Sequence, residues 1–99
     1  MALLGKQVRQ LRSMAHHLEP VISIGKNNIT DAVVGEASEL LEARELIKGT
    51  VQEMSDYTAR EAANELADRL GADVVQVIGR KFSLYRHSTR DDVEHIELA

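Results

Sequence analysis

The sequence predicts an α/β fold, a two-layer sandwich in the order α-β-α-β-α-β-β around a mixed four-stranded sheet. Three observations predict it. Short β-branched runs alternate with helix-period segments along the whole length. The last two strands are separated only by Gly79-Arg80-Lys81, the spacing of a hairpin. Ninety-nine residues with 43% apolar and 28% charged side chains are enough for one core and too few for two. Two successive βαβ crossovers of one hand put helices two and three on the same side of the sheet, leaving the other side thinly covered.

Each element has its own signal. Leu4, Val8, Leu11, Ala15 and Leu18 fall at helical spacing, with Lys6, Arg9, Arg12, Ser13 and His16 opposite, so helix one has an apolar face and a basic one. Glu19-Pro20 ends it. Val21 to Ile24 reads as a strand. Gly25 and Asn27-Asn28 read as a turn, because glycine and asparagine tolerate positive φ. Thr30 caps helix two, about 31–43, whose buried face is Val33, Ala37, Leu40 and Leu41. Leu46 to Val51 is strand two, with Gly49 a soft point or bulge. Ser55 or Asp56 caps helix three, about 57–70, and Gly71 stands at its C-terminal cap. Val74 to Ile78 and Phe82 to Arg86 form the hairpin, with Phe82, Leu84 and Arg86 on one face and Ser83 and Tyr85 on the other. Residues 1–88 make the domain, and the polar, acidic segment 89–99 is expected to be a loosely held tail.

The net charge of −4 hides a strong pattern. Residues 1–30 carry +3, residues 31–73 carry −7, residues 74–90 carry +4, and the tail from Asp91 carries −4. Fields act within a Debye length of about 8 Å at physiological salt, so a basic face can operate on an acidic protein. Scattered, solvated charge is the alternative. No cysteine is present, which removes disulfides and thiolate chemistry and fits a reducing cytoplasm. No apolar run suits a leader or a bilayer span.

Catalysis finds little in the residues. Nucleophile-elbow, P-loop and H-x-x-x-H patterns are missing, and a surface role is expected for all four histidines. No enzyme activity, cofactor, metal ligand, membrane or small-molecule substrate is expected. Glu36, Glu39 and Glu42 read as a solvated helix face. Tyr85, on a strand among Arg80, Lys81 and Arg86, reads either as a base-stacking side chain or as one half-buried in the sheet. The most pointed feature is the strand–turn–helix at 21–31. A helix N-terminus with a lysine beside it suits a phosphate.

The blocks Leu11-Arg12-Ser13-Met14-Ala15-His16-His17-Leu18-Glu19-Pro20-Val21, Ile24 to Thr30, Glu45 to Lys48 and Val75 to Arg86 stand in an order that resembles the CRM domain family, in its single-domain, bacterial YhbY-like form. The resemblance covers roughly residues 5–86. It implies RNA binding, in bacteria associated with maturation of the large ribosomal subunit, and the composition makes the cytoplasm the expected place. It also implies a fold similar to the C-terminal domain of the third translation initiation factor. The family's G-x-x-G turn, akin to the KH loop that clamps nucleic-acid backbone, falls on Gly25-Lys26-Asn27-Asn28, where Asn28 replaces the second glycine. Asparagine also visits left-handed φ, so the turn can keep its shape. The expected RNA contacts are Gly25, Lys26, Asn27 and Asn28, extended by Lys6, Arg9 and Arg12 on helix one and by Arg80, Lys81 and Arg86 on the hairpin. A second reading makes the chain an adaptor that docks on ribosomal proteins or nucleases through acidic helix 31–43.

Overall fold

The computed structural model describes residues 3–99; the first two residues of the expected domain lie outside the described residues. Its elements run α1 (Gly5–Ala15), β1 (Ile22–Ile24), α2 (Asp31–Arg44), β2 (Leu46–Val51), α3 (Ala59–Leu70), β3 (Asp73–Ile78) and β4 (Lys81–Tyr85). The sheet order is β1-β2-β4-β3, with β1 parallel to β2 and the other neighbours antiparallel. The predicted α/β order and mixed four-stranded sheet are therefore present. The first crossover makes the parallel pair, and the closing hairpin inserts β4 between β2 and β3.

Alternation along the strands builds two cores. Ile22, Ile24, Ile47, Val51, Phe82 and Leu84 face α2 and α3, where Ala37, Leu41, Ala62, Ala63 and Leu66 meet them. The alanines of α3 bring its backbone close to the sheet. Leu46, Val75 and Tyr85 face the other way, onto Leu11 and Ala15 of α1. The thinly covered face is thus covered by α1, with Leu3, Leu18, Ile96 and Leu98 packed around it.

Several local expectations change. Gly49 makes no bulge: a Cβ there would stand 2.4 Å from Phe82 Cζ, so the glycine exists to admit the ring. The ladder irregularity falls instead on β3, between Val74 and Gln76. Helix α3 starts later than Ser55 or Asp56 would start it. Thr58 is its cap, accepting from Glu61 N–H at 3.1 Å while Glu61 Oε1 accepts from Thr58 N–H at 2.9 Å. Asn28 Oδ1 engages Ser55 Oγ (2.8 Å) and Asp56 N–H (3.0 Å) instead, which holds the preceding loop against the 25–28 turn.

The tail is not loosely held. Gln7 and Gln10 donate to the carbonyls of Ala99 and Glu97 at 3.2 and 2.7 Å, and Ala99 N–H donates to Gln10 Oε1. Its second anchor is Glu45, the C-cap of α2, with φ +65 and a fully buried side chain. Glu45 Oε2 accepts from Ser88 N–H at 2.7 Å and Oε1 from Ile96 N–H at 2.6 Å. Burial works to raise the Glu45 pKa, but the bonds from His95, Ser88 and Ile96 outweigh it and leave the carboxyl below its ordinary range.

Candidate nucleic-acid interface

The parallel pairing of β1 and β2 decides where the turn lies. Ile24 pairs with Val51, and Thr50 with Lys81, so β1 and β2 end where β4 begins. Gln52 N–H donates to the Ile24 carbonyl and Val51 N–H to the Arg80 carbonyl, both at 2.8 Å, which ties three loops into one rim. Lys26 and the Gly79-Arg80 hairpin turn therefore share one end of the sheet, two strand spacings (about 9.5 Å) apart. Gly79 has φ +58 at the first central position of that two-residue turn, where glycine is favoured.

The 25–28 turn closes with Asn28 N–H on the Gly25 carbonyl at 2.9 Å, leaving Lys26 and Asn27 at its exposed tip. Asn28 carries the left-handed conformation, φ +57, which asparagine tolerates better than most residues. Gly25 has no positive φ, contrary to the expected reason for it, and a Cβ there would meet nothing nearer than Gln52 Oε1 at 3.6 Å. Its missing side chain leaves open surface, not backbone freedom. The Asn28 amide is spent inward, Nδ2 donating to Asp56 Oδ2 at 3.3 Å besides the two bonds its Oδ1 accepts. Asn28 is thus a positioning residue for the turn. Thr30 Oγ1 accepts from Val33 N–H at 3.2 Å and caps α2 directly behind it.

The expected basic residues divide. Lys26, Arg80 and Lys81 are exposed on the shared rim, with Arg80 paired to Glu53 at 3.4 Å. Arg12 lies at the β3 edge, its Nε donating to the Val75 carbonyl at 3.0 Å. Lys6 and Arg9 are on the N-terminal half of α1, beside the tail residues that bond Gln7 and Gln10 and away from the rim. Arg86 turns inward. Its side chain is 20% exposed, and the guanidinium donates to the Leu70 carbonyl (2.9 Å), the Ser38 carbonyl and hydroxyl (3.1 and 3.2 Å) and Glu42 Oε2 (3.2 Å). Tyr85 is 5% exposed in the second core, and burial raises its pKa. It has no free ring face for a base.

Other side chains join the rim that sequence reasoning left out. Helix α1 stops short of it, which leaves Lys81 exposed and Lys48 and Gln76 half-buried there, while Ser83 between them is buried. Lys48, Lys81, Ser83, Gln76 and His16 line a shallow groove of about 190 Å³ beyond the helix end, and Lys48 Nζ donates to the Ala15 carbonyl at 3.4 Å. A lysine alternating with Ile47, Gly49 and Val51 on a central strand was the available signal. The acidic row of α2 is largely answered within the chain: Glu42 by Arg86 and Thr89, Glu39 by Arg90 at 2.9 Å. Glu36 remains exposed.

The model of the CRS1 / YhbY (CRM) domain matches residues 3–86. The chain belongs to the CRM domain family. Among its relatives, the Probable RNA-binding protein YqeI of Bacillus subtilis is 40% identical, covering 97% of this chain and 98% of that protein. A protein of Haemophilus influenzae named RNA-binding protein is 35% identical, covering 90% of each. The solution structure of a hypothetical protein from Staphylococcus aureus is 36% identical and superposes with a TM-score of 0.68 over 96% of this chain and all of that one.

Proposed function

We propose that this CRM domain binds RNA through the rim that holds Lys26, Arg80 and Lys81, with Lys48 and His16 on the adjoining open sheet face. The carrying observation is the common edge of the 25–28 turn and the β3–β4 hairpin, where exposed cations flank a turn whose tip bears only Lys26 and Asn27. The names of the relatives support the same ligand. Lys26 meets a backbone phosphate, and Gly25 leaves room for close approach of the sugar-phosphate chain. Asn27 donates from the tip, while Asn28 fixes the shape. Arg12 extends the surface toward β3; Lys6 and Arg9 extend it only for a longer strand running along α1. Arg86 serves the fold and is not among the contacts.

Such contacts are to backbone and carry little sequence choice, so selection comes from RNA shape or from neighbouring proteins. We assign ribosomal RNA of large-subunit precursors, in the cytoplasm, as the target and assembly as the process, without catalysis. The test measures binding of a single-stranded RNA oligonucleotide by fluorescence anisotropy across salt concentrations. With ~3–4 phosphates neutralised, the log–log slope is about −2 to −3, and Lys26→Ala flattens it by ~0.7. Unchanged affinity in Lys26→Ala defeats the site. Crosslinking in cells and sequencing of the attached RNA tests the ribosomal assignment. In the adaptor reading, Glu36→Lys, and not Lys26→Ala, releases the protein from ribosomal particles. Glu42 is drawn inward onto Arg86, while Glu36 and Glu39 stay exposed on α2 and are the surface on which that reading rests.

A further inference from the structure

Away from the rim, two histidines that are eight positions apart converge on one buried carboxylate. Glu45 Oε2 lies 2.7 Å from His95 Nδ1 and 3.4 Å from His87 Nδ1. The two rings stack with centroids 4.5 Å apart and planes at 17°. Ser88 N–H and His95 already suffice for the two lone pairs of Oε2, so hydrogen bonding gives no reason for His87 to turn its Nδ1 toward the same oxygen. All three ligand atoms fall within 4.8 Å of one another.

We propose that Glu45, His87 and His95 hold one divalent transition-metal ion of the zinc class, which clamps the C-terminal segment to the α2–β2 junction. Two imidazole nitrogens and a carboxylate oxygen suit zinc, whereas calcium and magnesium favour all-oxygen sets. An ion about 2.0–2.1 Å from each donor in tetrahedral geometry separates the donors by about 3.3 Å. The His87 pair stands at that separation, and His95 has to withdraw by about 0.6 Å, with both rings tilting to aim their lone pairs. Their exposure permits it: the side chains are 66% and 36% exposed, against 0% for Glu45. Glu45 is the fixed point, held by the Ser88 and Ile96 amides, which orient a metal-bound carboxylate as outer partners do. Both Nδ1 atoms bind unprotonated, so the ion releases to solvent the proton shared between His95 and Glu45. Water fills the remaining position. The neighbouring cations do not compete, since Arg86 and Arg90 are directed to Glu42 and Glu39.

The test uses the full untagged chain after chelator treatment. Co2+ is followed by its visible d–d absorption, and Zn2+ by competition with a chromophoric chelator. One equivalent binds, a tetrahedral cobalt band appears, and excess Ca2+ does not displace it. His87→Gln and His95→Gln each weaken Zn2+ binding by ~10-fold or more, with circular dichroism unchanged. The double change His16→Gln/His17→Gln, outside the cluster, leaves it intact. Glu45→Gln risks the fold, so the exposed histidines carry the decision. Absence of one-equivalent binding, equal affinity in the His87 and His95 variants, or loss of binding in the His16/His17 variant overturns the proposal, and the cluster is then only a hydrogen-bonded anchor for the tail.

Discussion

Two residues at the turn and one in the core show how a single side chain, or its absence, is fixed by its neighbours. Gly49→Ala drives a methyl into the buried Phe82 ring, so it destabilises the protein by ~1–3 kcal/mol, read as a lower urea midpoint at unchanged m-value. Gly25→Ala meets only an ordinary contact; it leaves the urea midpoint in place and weakens RNA binding. That contrast separates a glycine needed by the fold from one needed by a ligand. Asn28→Ala loses three hydrogen bonds and keeps a positive φ that alanine resists, costing ~1–3 kcal/mol; Asn28→Gly restores the φ alone and costs less. The asparagine's tolerance of that φ was legible in the sequence. Its partners were not, because Ser55 and Asp56 reach it across 27 and 28 residues of chain.

Helix termini and the β4–tail junction respond to pH in a direction that can be worked out. Hydrogen bonds from the Thr58 backbone and hydroxyl hold Glu61 below its usual range at the start of α3. Glu42 is held low first by the Thr89 hydroxyl, against burial, with the Thr89 amide and Arg86 adding to the effect. A carboxylate whose folded pKa is depressed contributes stability that is present above its unfolded value, near 4.5, and lost as pH falls through the folded one. Thermal melts from pH 6 downward therefore show the midpoint falling below about pH 4.5, and Glu61→Gln reduces the slope of that fall. Thr58→Ala costs ~1 kcal/mol at neutral pH. The order and approximate extent of all seven elements could be read from periodicity and turn residues. The α3 start was misplaced because Ser55, Asp56 and Thr58 are all acceptable caps locally, and the long-range claim of Asn28 on the first two decides among them.

Across the whole molecule, Arg86, one residue past β4, joins α2 to the end of α3, while Lys81, the first residue of β4, faces the rim. Arg86→Ala lowers stability by ~2 kcal/mol or more without changing the salt slope of RNA binding, and Lys81→Ala does the reverse. Charge alone could not distinguish these two cations in the sequence. Alternation put Arg86 on the face of Phe82 and Leu84 and left Lys81 in the turn, and only the packed helices show that the first is drawn inward and the second exposed. The same holds for Glu45, whose partners lie 43 to 51 residues away. One consequence concerns β1. It is an edge strand of three residues, paired on one side only, yet it bears the lysine turn. Cooperative opening should reach it before the β2–β4–β3 ladder. In native-state hydrogen exchange its amides give the lowest protection of the sheet, and bound RNA slows them selectively.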